Sequence, residues 1–238
     1  MTPRYDILLF DADNTLFDFS LAERNAFRET AERVGLPLTE ELFRAYSEIN
    51  AGLWKRLEEG GIGIEELKIE RFRRLLLLTG RPDDGETLSE AAFLRDVYME
   101  ALSLQTCLVD GAEEVCRRLA RDYALYIITN GISMIQRGRF GRSVLKPYFR
   151  GMFVSEEIGV QKPRREYFDA VFSALGNPPK ERVLVIGDSL TSDCDGAIAY
   201  GLDICLFDPK NEGDGGRALT YTVHTLSGIP ELLRERLP

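Results

Sequence analysis

Six short apolar runs, each the length of a β-strand, recur along the chain with helix-forming stretches between them. They are "ILLF" (residues 7–10), "ALYIIT" (124–129), "GMFVS" (151–155), "RVLVIGD" (182–188), "DICLF" (203–207) and a short "YTV" (221–223). Most are apolar throughout instead of alternating, as befits strands of a parallel sheet covered on both faces. Helical patterns fill residues 112–121, 132–145, 164–175 and 192–200. Strand and helix in alternation predict an α/β fold, an open parallel sheet with helices on both sides.

The interval from about residue 21 to residue 103 breaks this rhythm. It contains no convincing strand. Residues 23–34, 40–58, 64–78 and 89–102 instead carry apolar side chains at the three-and-four spacing of amphipathic helices. Pro37, "GGIG" at 60–63 and "TGRPDDG" at 79–85 supply the turns. A helical block placed directly after the first strand predicts an insertion. The expected division is a discontinuous core, residues 1–18 and 104–238, and a helical cap, residues 19–103.

With 238 residues, 44% of them hydrophobic, the chain can bury a substantial core. Its net charge of −9 argues against polymeric nucleic acid or an anionic membrane as the main partner. Cys107, Cys116, Cys194 and Cys205 form no C-x-x-C pair, and the single histidine, His224, does not complete a zinc set. They are expected to be reduced thiols. No secretory signal pattern opens the sequence, and no segment approaches the about 20 apolar residues of a membrane span. These features predict a cytoplasmic protein with a small-molecule partner.

Ligands of open parallel sheets bind outside the carboxyl ends of the strands. The first strand runs into Asp11-x-Asp13-x-Thr15, the second into Thr129-Asn130-Gly131, and "RVLVIG" into Asp188-Ser189, with Asp193 five residues after Asp188. Lys162, in "GVQKPRREYF", precedes a predicted helix and faces the same rim. Each alone has a plain reading, such as a turn, a surface lysine or a helix-start aspartate favouring the dipole. Together they suit one chemistry. Clustered carboxylates repel unless a cation lies among them, and oxygen donors without histidine favour Mg²⁺. Such a metal completes its shell with phosphate oxygens, and Lys162, Thr129 and backbone N–H groups suit the rest of a phosphate. Two separate aspartates also allow a division of labour. One carboxylate attacks phosphorus, and the other protonates the leaving oxygen and later activates water.

"DADNT", "TNG", "KP" and "GDSLTSD", in this order, resemble the four motifs of the haloacid dehalogenase (HAD) superfamily of phosphatases. The resemblance spans the whole chain, and the helical block matches the position of the C1-type cap on that family's Rossmann-like core. It implies Asp11 as nucleophile and Asp13 as general acid/base, with Thr129, Asn130 and Lys162 at the phosphate. It also implies a Mg²⁺ site made by Asp11, the backbone carbonyl of Asp13 and Asp188, supported by Asp193.

"FDADNTLFDF", "NAGLW" (residues 50–54), "VSEEIGVQKP" (154–163) and "GNPPKERVLVIGD" (176–188) are further similar to YjjG-like pyrimidine 5′-nucleotidases. That likeness implies nucleoside monophosphates such as dUMP, dTMP and UMP, and non-canonical analogues, as substrates. Asn50 and Trp54 in the cap, and Phe17 and Phe19 beyond the first motif, are the specificity candidates. A lone tryptophan in an amphipathic helix is more often a core residue, and Trp54 leans to that reading.

Three alternatives remain. A HAD phosphatase for a sugar phosphate or phosphoglycolate would share every core motif. A dehalogenase would need neither Mg²⁺ nor an acid at Asp13. A receiver-type signalling module would place its acidic pair side by side and would lack the cap.

Overall fold

The computed structural model describes residues 4–234. The first apolar run forms β1 (Ile7–Phe10), and four helices follow: α1 (Phe19–Val34), α2 (Glu40–Glu58), α3 (Ile64–Leu78) and α4 (Gly85–Ser103). The chain continues through α5 (Ala112–Leu119), β2 (Ala124–Thr129), α6 (Ser133–Arg142), β3 (Phe149–Val154), the single turn α7 (Ser155–Ile158) and α8 (Arg165–Ala174). It closes with β4 (Val183–Gly187), α9 (Asp195–Tyr200), β5 (Asp203–Phe207), β6 (Tyr221–Val223) and the short α10 (Ile229–Leu232).

All six strands lie parallel in one sheet of order β3-β2-β1-β4-β5-β6. This is a Rossmann-like doubly wound sheet, and the strand order reverses beside β1. Alternate residues of each strand feed opposite layers. Leu8, Phe10, Leu125, Ile127, Leu184 and Ile186 face the layer holding Val115, Cys116 and Leu119 of α5. Leu9, Ile128, Val183 and Val185 face the other, with Phe168, Val171 and Phe172 of α8 and Ala197 of α9. Two covered faces explain why the strands read as unbroken apolar runs.

The chain falls into two compact units, one running up to Phe19 and resuming at Thr106, the other Ser20–Gln105. In the second, Asp84 caps α4 by accepting from the N–H groups of Glu86 (3.1 Å) and Thr87 (3.0 Å), so this helix begins four residues before the periodic pattern does. Phe27, Tyr46, Phe72 and Tyr98 form an aromatic core, with Phe27 and Tyr46 centroids 4.9 Å apart. A polar network is buried beside it. Glu23 of α1 accepts from Ser47 (2.7 Å) and Asn50 (2.8 Å) of α2, and Asn50 accepts in turn from Arg71 of α3.

Other boundaries shift for local reasons. β3 begins at Phe149, two residues early, because Phe149 packs edge-on against Phe10 and Phe140. The helix expected over 192–200 divides into a wide π-type turn, Leu190–Cys194, and α9. All four cysteines are free thiols, and among the described residues no helix is long and apolar enough to cross a membrane.

Candidate active site

β1 and β4 are neighbours in the sheet, so their carboxyl ends deliver Asp11 and Asp188 to one spot. Past Asp11 the chain turns sharply. Asn14 takes a left-handed conformation (φ 61°), tolerated well by asparagine, and its N–H reaches the Phe17 carbonyl at 2.7 Å. The turn places the Thr15 hydroxyl 3.0 Å from Asp188 Oδ1, to which it donates. The π-type turn after β4 brings Asp193 back beneath Asp188, where its carboxylate accepts from the Ser189 N–H. Asp11, Asp188 and Asp193 thus each offer an oxygen within 4.8 Å of the others.

Lys162 enters this group from the segment before α8. Its Nζ donates to Asp11 Oδ1 and Asp193 Oδ1, both at 2.6 Å, and to the Ile128 carbonyl at 3.1 Å. Only 1% of the side chain is exposed. Burial opposes its charge, but the Asp11 and Asp193 carboxylates outweigh burial and raise the ammonium above the ordinary lysine value. Asn130 fixes where this lysine starts. Its amide donates to the Lys162 carbonyl (2.9 Å) and accepts from the Lys162 N–H (2.8 Å), so its side chain ties the end of β2 to the segment carrying Lys162.

Thr129 ends β2 with its N–H on the Tyr167 hydroxyl (3.1 Å), which donates onward to the Phe153 carbonyl. The Thr129 hydroxyl accepts from the Gly131 N–H (3.1 Å) and keeps its own hydrogen to donate.

One lysine does not neutralise three carboxylates. Burial pushes the Asp11 carboxyl well above the usual carboxylate range, with Asp193 and Asp188 adding to the shift against Lys162. Asp188 is pushed up to about 7, first by burial and then by Asp193. Excess negative charge, oxygen-only donors and burial are what a hard divalent cation requires, so the residues fit Mg²⁺.

Asp13 stands apart from this group. Its carboxylate is held by α6, with Gln136 Nε2 donating to Oδ2 at 2.6 Å and the Arg139 guanidinium paired to Oδ1. Neither residue was among the expected site residues. Sequence marks them only as an i,i+3 polar pair on the helix that follows Thr129-Asn130-Gly131, a pattern that a solvated helix face shares.

The specificity candidates fall in different settings. Phe17 is fully buried in a core layer beneath the Arg139 guanidinium (4.7 Å), which leaves it no surface for a substrate. Phe19 opens α1 and is half-buried. Asn50 is 3% exposed within the Glu23–Arg71 network, and Trp54 packs partly buried against Leu53, Ile62 and Leu67.

The parallel α/β sheet gathers acidic and basic side chains at its carboxyl edge, and the sequence model for haloacid dehalogenase-like hydrolases matches residues 5–201; the chain belongs to that hydrolase family. The crystal structure of the HAD hydrolase YfnB from Bacillus subtilis, bound to magnesium, is similar over 98% of this chain and 100% of that one, with a TM-score of 0.88 and 38% identity. Pyrimidine 5′-nucleotidase PynA of Streptococcus pneumoniae is 35% identical over 98% of this chain and 97% of its own. Pyrimidine 5′-nucleotidase YjjG of Escherichia coli is 32% identical over 97% and 98% respectively.

Proposed function

We propose that this enzyme is a Mg²⁺-dependent phosphomonoesterase that works through an aspartyl-phosphate on Asp11, with pyrimidine nucleoside 5′-monophosphates as substrates. The observation that carries the reading is the grouping of Asp11, Asp188 and Asp193 around the single ammonium of Lys162, with a separate carboxyl, Asp13, two residues from Asp11. The nucleotide specificity is supported by the likeness to PynA and YjjG over nearly the whole chain.

Asp11 Oδ1 is tied to Lys162, so attack on phosphorus falls to Oδ2. As the phosphorus–oxygen ester bond breaks, Asp13 delivers a proton to the nucleoside oxygen. Asp13 then takes a proton from the water that cleaves the acyl-phosphate, returning Asp11 and releasing inorganic phosphate. The Lys162 ammonium and the Thr129 hydroxyl stabilise the charge on the non-bridging phosphoryl oxygens. Asp11, Asp188 and the backbone carbonyl of Asp13 would hold Mg²⁺, with Asp193 supporting the site from behind. Bound there, the metal would neutralise the carboxylate excess and draw charge from the phosphoryl group.

The test is phosphate release from a panel of nucleoside monophosphates and sugar phosphates, with Mg²⁺ or with EDTA. Activity that needs Mg²⁺, is lost in Asp11→Asn and is strongest on dUMP, dTMP or UMP supports the whole reading. A marked preference for sugar phosphates would keep the mechanism and remove the specificity.

A further inference from the structure

Asp11 and Asp13 stand two residues apart, yet each has its own cation. Asp11 faces Lys162, whereas Asp13 faces Arg139, whose side chain is 0% exposed. Arg139 Nη1 donates to Asp13 Oδ1 and Gln136 Nε2 to Asp13 Oδ2, so both carboxylate oxygens are gripped from one face of α6.

We propose that Gln136 and Arg139 are positioning residues that fix the orientation of the Asp13 carboxyl toward the leaving oxygen of a phosphate ester. The proposal rests on the reading of Asp13 as acid and base given above. Three features favour it over an ordinary buried ion pair. The Gln136 Oε1 atom is buried and lacks a partner among the described residues, so the amide serves Asp13 at the expense of its own oxygen. Gly131 makes room for that amide, since a Cβ at position 131 would lie 2.2 Å from Gln136 Nε2 and 2.8 Å from Cγ and Cδ. The Phe17 ring, 4.7 Å from the guanidinium carbon, supports Arg139 from the turn that carries Asp13. The turns after β1 and β2 and the inner face of α6 thus converge on one carboxyl. The grip occupies one acceptor position on each oxygen, and a carboxylate offers about four in all, so Asp13 can still meet a substrate or a water.

The test compares kcat/KM on two esters, in wild type and in Asp13→Asn, Gln136→Met, Arg139→Lys and the Asp13→Asn/Gln136→Met double variant. The phenolate of p-nitrophenyl phosphate leaves with little need of a proton, whereas the alkoxide of a nucleoside 5′-monophosphate needs one. Gln136→Met keeps the length and fills the same space, and it carries the test if Arg139→Lys fails to fold. It is expected to lower kcat/KM on the nucleotide by about 10-fold or more, and on p-nitrophenyl phosphate by less than about 3-fold. The double variant is expected to be no slower on the nucleotide than Asp13→Asn alone, because the pair acts through Asp13. Arg139→Lys, which keeps the charge and loses the guanidinium fork, is expected to show the same preferential loss on the nucleotide. Equal losses of Gln136→Met on both esters, or further loss in the double variant, would overturn the proposal and leave the acid/base reading of Asp13 standing. An Asp13→Asn variant as fast as wild type on the nucleotide would overturn both.

Discussion

The Asp193 carboxylate fills the space that a side chain at Gly187 would need. A Cβ at position 187 would lie 2.3 Å from Asp193 Oδ2 and 2.8 Å from Asp193 Cβ. Asp193 is too short to swing clear, and it is fully buried against Lys162. Gly187→Ala is therefore expected to cost about 1–3 kcal/mol of stability, as overpacking of a tight interior does. Phosphatase activity is expected to collapse with it, because the turn carrying Asp188 and Asp193 must shift. Urea unfolding and phosphate release check the two parts. A variant with wild-type stability and rate would show that the close approach is not obligatory.

Lys162 compensates Asp11 and Asp193 in a buried setting, so its removal leaves carboxylates with no cation. Lys162→Met is expected to lose about 3–5 kcal/mol of stability in Mg²⁺-free buffer, the usual result of breaking a buried pair from one side. Added Mg²⁺ is expected to raise the Tm of wild type, and to raise that of Lys162→Met by a larger increment, because the metal then meets uncompensated charge. Asp188→Asn is expected to blunt the rise. Thermal melts with Mg²⁺ and with EDTA measure all three, and a wild-type Tm indifferent to Mg²⁺ would contradict the metal site.

How far the sequence exposes this arrangement depends on whether a feature is local. The strands are legible because burial on both faces demands apolar residues at every position, as in Val183–Gly187. Asp11, Thr129 and Asp188 are legible because strand ends fix them relative to one another, and Lys162 because it lies just ahead of a legible helix, α8. Gln136 and Arg139 are not, since polar residues three apart on a helix read as a solvated face until the docking of α6 shows which side is inward. The same holds for Gly131 and Gly187, whose missing side chains matter only because a distant residue occupies the space. Asn130 sits in the expected motif, but its partner is the backbone of Lys162, 32 residues on. Phe17 illustrates the converse. Its place near Asp13 is legible in sequence, but its complete burial follows from packing alone.

Asn50 links three helices, donating to Glu23 of α1 from α2 and accepting from Arg71 of α3. Asn50→Ala would leave a buried carboxylate short of a donor and a buried guanidinium short of an acceptor. The expected cost is about 1–3 kcal/mol. KM for nucleotides is expected to change little. A KM raised about tenfold at unchanged stability would instead give Asn50 a direct part in substrate recognition. Steady-state kinetics and urea unfolding on the same preparation separate the two.

Asp208, just past β5, holds the following loop by accepting from the N–H groups of Glu212 and Gly213, each at 2.9 Å. The hydrogen bonds from Gly213 and then Glu212 lower its carboxyl below the ordinary value of 3.8. A carboxyl whose pKa is lower in the folded state contributes stability that is present above the unfolded value and lost as pH falls through the folded one. Asp208→Asn removes the charge and retains the shape. The lead of wild type over this variant is expected to be constant at about pH 6 and to shrink steadily below about pH 4. Urea midpoints for both proteins across that interval provide the measurement. A lead that stays unchanged down to the acid limit of folding would mean that the loop draws nothing from the ionised carboxylate.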